Sequence, residues 1–208
     1  MARAIYVEAA KKPIYKRGKK VEYVSKRGKR AGQTLTKLDR SQPADADDEI
    51  LINVGEPYYT WQFYGERNAH YSKTRPRQSQ LTNNWFKKEL YSIQERVEDV
   101  GDVAFAPKTP EELSDFISDI TDDLQSLLDD CQTNFDNIPE QLQEGDAGQT
   151  LQARIENLES AISELENIDA EFESDLDENA TEDAKQEEIE NWISDRIDLI
   201  QAVDLSFE

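Results

Sequence analysis

"TPEELSDFISDITDDLQSLLDDCQTNF", Thr109 to Phe135, carries the longest uninterrupted pattern in the chain. Its apolar residues, Leu113, Phe116, Ile117, Ile120, Leu124, Leu127, Leu128, Cys131 and Phe135, recur mostly at intervals of three or four. That interval brackets the ~3.6 residues of an α-helical turn, so they line one stripe of a long helix. Its start is marked by a capping hydroxyl at Thr109, a proline at the first helical position and Glu112 three residues after the cap. Pro139 stops it. Asp115, Asp119, Asp122, Asp123, Asp129 and Asp130 fall largely off the stripe and give the helix an acidic outer face. A stripe this narrow is buried only against another helix, which predicts a helical hairpin or bundle clothed in carboxylates.

The same period extends to both sides. Leu151, Ile155, Leu158, Ile162 and Leu165 step by four, three, four and three, a coiled-coil-like seam of about two heptads. A seam of that length is served equally by a partner helix of the same chain and by a second copy in a homo-oligomer. Asp169 to Asn179 reads as an acidic loop, after which Thr181 can cap a last helix carrying Ile189, Trp192, Ile193, Arg196, Ile197 and Ile200. Upstream, Thr82 can cap a helix with Phe86, Leu90, Ile93 and Val97, ended by Gly101.

Before residue 83 the period drops to two. Ile50 and Ile52 alternate, as do Tyr59, Trp61 and Phe63, and Gly65 to Asn68 supply turn chemistry before Ala69 to Thr74 return as a second strand. Val21 to Val24, between Gly18 and Gly28, reads either as a hairpin or pair of edge strands, or as a disordered basic arm, because few apolar residues are present to offset its ordering entropy. Ser41 to Glu49 reads as a polar linker. The expected fold is α+β: residues 1–82 form a small, basic, aromatic, β-rich part, and residues 83–208 an acidic, antiparallel α-helical part.

Charge runs in the same order, basic first and acidic last, with residues 41–88 balanced at six against six. The 208 residues carry a net charge of -21, yet residues 1–40 hold thirteen Lys or Arg against three acids. The burst is densest in "YKRGKKVEYVSKRGKR", Tyr15 to Arg30. From residue 89 onward, five basic residues face 36 acids. Like charges gathered on one part raise its potential and steer oppositely charged partners, so the asymmetry points to an interaction protein. No stretch approaches the ~20 apolar residues needed to span a bilayer, no secretory apolar run opens the chain, and one cysteine forms no internal disulfide. A cytoplasmic protein without a membrane partner is expected.

Candidates for catalysis are few. Cys131 lies in a helical apolar stripe, where it reads as a small buried residue, and His70 beside Tyr71 reads as a surface or stacking residue. One His and one Cys assemble no zinc site without carboxylates, no glycine-rich phosphate loop occurs, and carboxylate pairs say little among 45 acids. A non-catalytic protein without metal or cofactor is therefore expected. Lys16, Arg17, Lys19, Lys20, Lys26, Arg27, Lys29 and Arg30 form the first candidate phosphate-binding patch, and Arg67, Lys73, Arg75 and Arg77 a second, with two of the cations after His70 on one face of the return strand. Tyr15, Tyr23, Tyr58, Tyr59, Tyr64 and Tyr71 can either stack on bases or form a small core, and Trp61 reads as core. Asp115, Asp119, Asp122, Asp123, Asp129 and Asp130 are candidate partner contacts. Either they solvate a bundle that meets a host or phage protein, or they imitate the phosphates of DNA before a host defence or DNA-processing enzyme.

"EPYYTWQFYGERNAHYSKTRP", residues 56–76, followed by a helix, resembles the small sheet-plus-helix DNA-binding modules that open phage-type integrases. The resemblance covers about residues 56–100 and implies a DNA-binding hairpin. No recombinase tyrosine with its Arg and His partners follows, so it implies no catalysis. "SKTRPRQSQLT" and "NIPEQLQEGDAGQTLQARIENLE" are similar to small proteins of bacteriophages and mobile elements, which implies such an origin.

Overall fold

The computed structural model describes residues 1–25, 32–66, 68–102, 104–174, 176 and 180–207. The fold is α+β, with strands first and helices after. Its contacts divide it into two compact units, Met1–Asn84 and Trp85–Glu208. The first holds seventeen basic residues against nine acids, a net of +8, and the second seven against 36, a net of -29.

The first unit is built from three small antiparallel sheets. Strands β1 (Ile5–Val7), β2 (Ile14–Tyr15), β3 (Lys19–Val24), β4 (Thr34–Asp39), β5 (Ile50–Ile52), β6 (Tyr58–Trp61) and β7 (His70–Ser72) precede a single helical turn, α1 (Gln78–Leu81). The sheets have the orders β1-β6-β7, β2-β5 and β3-β4. The expected β6–β7 hairpin forms, with Trp61 opposite His70 and Tyr59 opposite Ser72. Its strands are shorter than the alternation suggested, and β1, unmarked in the sequence, adds a third strand by pairing Tyr6 with Tyr59. Of the two readings of residues 21–24, the hairpin is the one found: β3 pairs with β4 from Lys19–Asp39 to Val24–Thr34. The core beneath is small, consisting of Ala10, Ile14 and Ile52 with Leu51, Tyr58 and Tyr71 packed on it.

Two expectations are corrected here. Ser41 to Glu49 is no mere linker, because Asp48 inside it is buried and holds a turn thirty residues away. Thr82 does not cap the following helix. It closes α1, and its hydroxyl accepts a hydrogen bond from the Asn84 N–H at 3.3 Å.

The second unit is helical. It contains α2 (Trp85–Asp99), α3 (Pro110–Asp136), the single turn α4 (Glu140–Gln143), α5 (Asp146–Glu166) and α6 (Glu182–Ala202). The Thr109 hydroxyl accepts from the Glu112 N–H at 3.2 Å, while the Glu112 carboxylate accepts from the Lys108 N–H at 2.7 Å, one residue before the expected cap partner. The predicted stripes meet in one core: Phe86, Leu90, Ile93 and Val97 of α2; Leu113 to Cys131 of α3; Leu158, Ile162 and Leu165 of α5; Ile193, Ile197 and Ile200 of α6. Helix α5 packs along α3, while α2 and α6 contact α3 and each other. The seam from Leu151 to Leu165 thus finds a partner inside the chain, with Leu151 and Ile155 half-buried at its end. After α6 the chain adds Val203 and Leu205 to the core, and the Gln94 side chain donates to the Leu205 carbonyl.

Candidate nucleic-acid interface

The candidate cations of the first unit fall into three groups. Lys19 and Lys20 open β3 and are exposed, and Lys37, exposed on β4, joins them. Residue pairing puts Lys19, Val21 and Tyr23 on the same hairpin face as Asp39, Lys37 and Leu35. On that face the Lys37 ammonium lies 5.7 Å from the centre of the exposed Tyr23 ring. Neither face of β3–β4 is covered by a core: in β3, Val21 alone is not fully exposed. Lys26, Arg27, Lys29 and Arg30 belong to the sequence that joins these strands and lie outside the described residues, as does Arg67.

Lys16 and Arg17 are held differently. Lys16 donates to Glu49 at 2.5 Å, and Arg17 reaches Asp45 at 2.6 Å and Asp48 at 3.7 Å. Asp48 is the organiser. Its buried carboxylate accepts from the backbone N–H groups of Arg17 at 2.9 Å, Gly18 at 2.7 Å and Ala44 at 2.9 Å. Burial by itself would push this carboxyl up, but the three N–H groups and the Arg17 charge outweigh it and hold it below its ordinary value. The hydrogen bond and charge of Lys16 likewise lower Glu49. Both cations stay exposed while forming ion pairs within their own unit. Exposed pairs of this kind contribute only ~0–1 kcal/mol, and each cation keeps donors facing solvent.

The second patch is divided as well. Strand β7 ends at Ser72, so Lys73, Arg75 and Arg77 lie beyond it on the way to α1, not on one strand face. Lys73 pairs with Glu56 at 3.0 Å. Glu56 also accepts from the Asn53 N–H at 2.9 Å and its side-chain amide at 3.1 Å. Asn53 first and Lys73 next bring its carboxyl down from 4.5 to about 2. Arg75 and Arg77 are exposed, and the Arg77 N–H donates to the Gln80 side chain at 3.0 Å.

A pH dependence follows. Glu56, Glu49 and Asp48 all have folded-state values below their unfolded ones, so each stabilises the first unit above the unfolded value, and that contribution disappears as pH falls through the folded one. We expect the first unit to loosen between about pH 4.5 and about 2, read through the backbone NMR signals of Ile14, Gly18 and Ile52. Glu56→Gln should flatten the lower part of that curve, and an unchanged curve would remove Glu56 as its source.

The rings separate too. Tyr58 and Tyr71 pack on the small core, and Trp61 is buried as expected. His70 stacks on Trp61 at 5.4 Å and 15°, and its Nε2 lies 3.0 Å from Glu66. Tyr23 and Tyr64 are exposed. Arg40, outside the candidate set, lies 5.8 Å from the centre of the Tyr71 ring, with its buried Nε unpaired.

In the second unit all six candidate aspartates are exposed, and Asp123 is paired with Arg96. Cys131 is fully buried and burial pushes its thiol up, away from the reactive thiolate. Among the described residues no group of three or more His, Cys, Asp or Glu is placed to hold a metal ion, and no helix is long and apolar enough to cross a membrane. No protein-family model matches the chain, and no curated protein or solved structure is significantly similar to it.

Proposed function

We propose that the chain is a non-catalytic nucleic-acid-binding protein whose first unit meets the polyanion and whose helical unit supplies contacts to a protein partner or a second copy. The observation that carries this reading is the β3–β4 hairpin: Lys19 and Lys37 stand exposed on the face of Tyr23, Lys20 stands exposed on the other, and the segment joining the strands adds four more cations. A two-stranded ribbon is marginal without a packed face, so its cost is understandable where the ribbon itself is the contact surface. Lysines on edge strands also keep sheets from pairing with one another, which accounts for those on the strands but leaves the cations of the connection unexplained. A phage or mobile-element origin belongs to this reading on the resemblance of residues 72–82 and 137–159 to small proteins of bacteriophages and mobile elements.

Binding of labelled oligonucleotides to the intact chain, measured by anisotropy at several salt concentrations, tests it. The logarithm of affinity should fall linearly with that of salt, because cations that neutralise phosphates release counterions. Reversing Lys19, Lys20 and Lys37 together to Glu should lower the slope by about three and weaken binding to all sequences alike. No binding to any nucleic acid at low salt would remove the reading.

A second reading rests on α3. Asp115, Asp119, Asp122 and Asp129 are exposed and fall within one side of the helix, spanning roughly 21 Å at ~1.5 Å per residue. Such a row could stand in for phosphates before a basic DNA-binding enzyme. Displacement of DNA from a host nuclease by the intact chain, lost when these four become Asn, would favour it.

A further inference from the structure

We infer that the nucleic acid is single-stranded, and that its bases stack on one face of the β1-β6-β7 sheet. This deepens the nucleic-acid reading above and rests on it.

The register decides which rings share that face. Tyr6 stands opposite Tyr59, Tyr59 opposite Ser72, and Trp61 opposite His70, and alternation along β6 puts Tyr59 and Trp61 on the same side. Tyr58 and Tyr71 point the other way, onto the small core of Ala10, Ile14 and Ile52. The sheet therefore has one covered face and one aromatic face, and the aromatic face is only partly shielded. Tyr6 is 55% exposed, the His70 side chain 44% exposed, and Tyr59 half-buried.

These rings hold one another in place. Tyr6 and Tyr59 have centroids 5.2 Å apart, His70 lies flat on Trp61, and Phe63 meets His70 edge-on at 5.6 Å. Such fixed rings lose little freedom when a base settles on them, which favours binding. An open groove of about 580 Å³ is lined by Phe63, the fully exposed Tyr64, Glu66 and Arg3 among others.

Charge selects the occupant. The Leu38 N–H of the basic hairpin donates to Asn68 of the β6–β7 turn at 3.4 Å, and Arg40 at its foot lies 5.8 Å from the centre of the Tyr71 ring, on the covered face of the outer strand β7. The cationic ribbon thus adjoins the edge of the aromatic sheet. An apolar peptide would use the rings and leave the lysines idle. A single strand uses both, because its phosphates can follow the cations while its bases lie on the rings. A duplex cannot, since its bases are already stacked on one another and present only their edges.

The test measures the intact chain by anisotropy against three probes at one salt concentration: a labelled oligothymidine, a hairpin duplex with as many phosphates, and an abasic strand of the same length. The oligothymidine should bind at least tenfold tighter than either of the others. Tyr6→Leu, an exposed site where a leucine keeps an apolar side chain, should weaken oligothymidine binding about fivefold to a hundredfold with an unchanged salt slope, and Tyr6→Phe should not. Neither variant should alter binding of the abasic strand. Equal affinity for all three probes with Tyr6→Leu silent would overturn stacking and leave the nucleic-acid reading standing. Failure to bind any probe would overturn both.

Discussion

Replacing Leu124 by Ala should cost the helical unit about 2–5 kcal/mol, the range found when a large buried aliphatic is truncated and its cavity only partly closes. Leu124 is fully buried at the middle of α3, the helix that α2, α5 and α6 all contact. Domains of this size are stable by only ~5–15 kcal/mol, and this one carries a net charge of -29. Aspartates three or four residues apart on α3 oppose folding by a few tenths of a kcal/mol per pair. The loss should therefore appear as a large fall in the urea midpoint followed by far-ultraviolet circular dichroism. Leu142→Ala, at a 61% exposed site, serves as control and should change stability by less than ~0.5 kcal/mol. Equal shifts for the two variants would mean that the α3 stripe does not face the core.

The second large effect is expected at Gly18. Its φ is +73°, a region that costs an L-residue with a side chain ~1–2 kcal/mol. Crowding adds to that cost. A Cβ there would lie 2.8 Å from the Arg40 Cα and 3.0 Å from the Asp39 carbonyl oxygen, both backbone atoms that cannot swing aside. Gly18→Ala should therefore push the Arg17–Lys19 turn off Asp48 and loosen the foot of the hairpin. Hydrogen exchange followed by mass spectrometry should show faster exchange in peptides from residues 14–24 and 34–52, with peptides of residues 110–166 unchanged. If the variant exchanges like the parent, the close approach to Arg40 is not a constraint. On the proposed nucleic-acid reading, affinity should fall together with hairpin protection, because the turn leads directly into Lys19 and Lys20 at the start of β3.

The helical half was legible because its signals are local. A capping threonine, a proline at the first turn and apolar residues at intervals of three and four are all read within a few turns of one helix, and Thr109, Pro110 and the stripe from Leu113 to Cys131 stand where that pattern put them. Val203 and Leu205 gave no such signal. They complete the core from an extended tail, where burial has no period to announce it.

The candidate interface was legible only in part. Composition identified the cations, but not which of them the fold would pair. Lys16 and Lys73 are as basic in the sequence as Lys19 and Lys37, yet Glu49 and Glu56 hold the first two. The pairs span 33 and 17 residues, and no local pattern encodes a partner at that distance. Asp48 was missed for the same reason: among the acids of residues 41–49 nothing sets it apart, and its burial exists only once the Arg17–Gly18 turn has closed around it. Tyr6 was missed because β1 is three residues long and acquires its pairing from β6.

Sequence alone determined the order of strands before helices, the α3 cap and stripe, and the division of charge between the two parts, since each depends on residue identity and short-range spacing. Tertiary structure alone decided which lysines meet a carboxylate of their own unit and which rings share an open sheet face. Those outcomes depend on the register of strand pairing and on contacts between residues far apart in the chain, and there a shift of one residue would turn every ring to the opposite side.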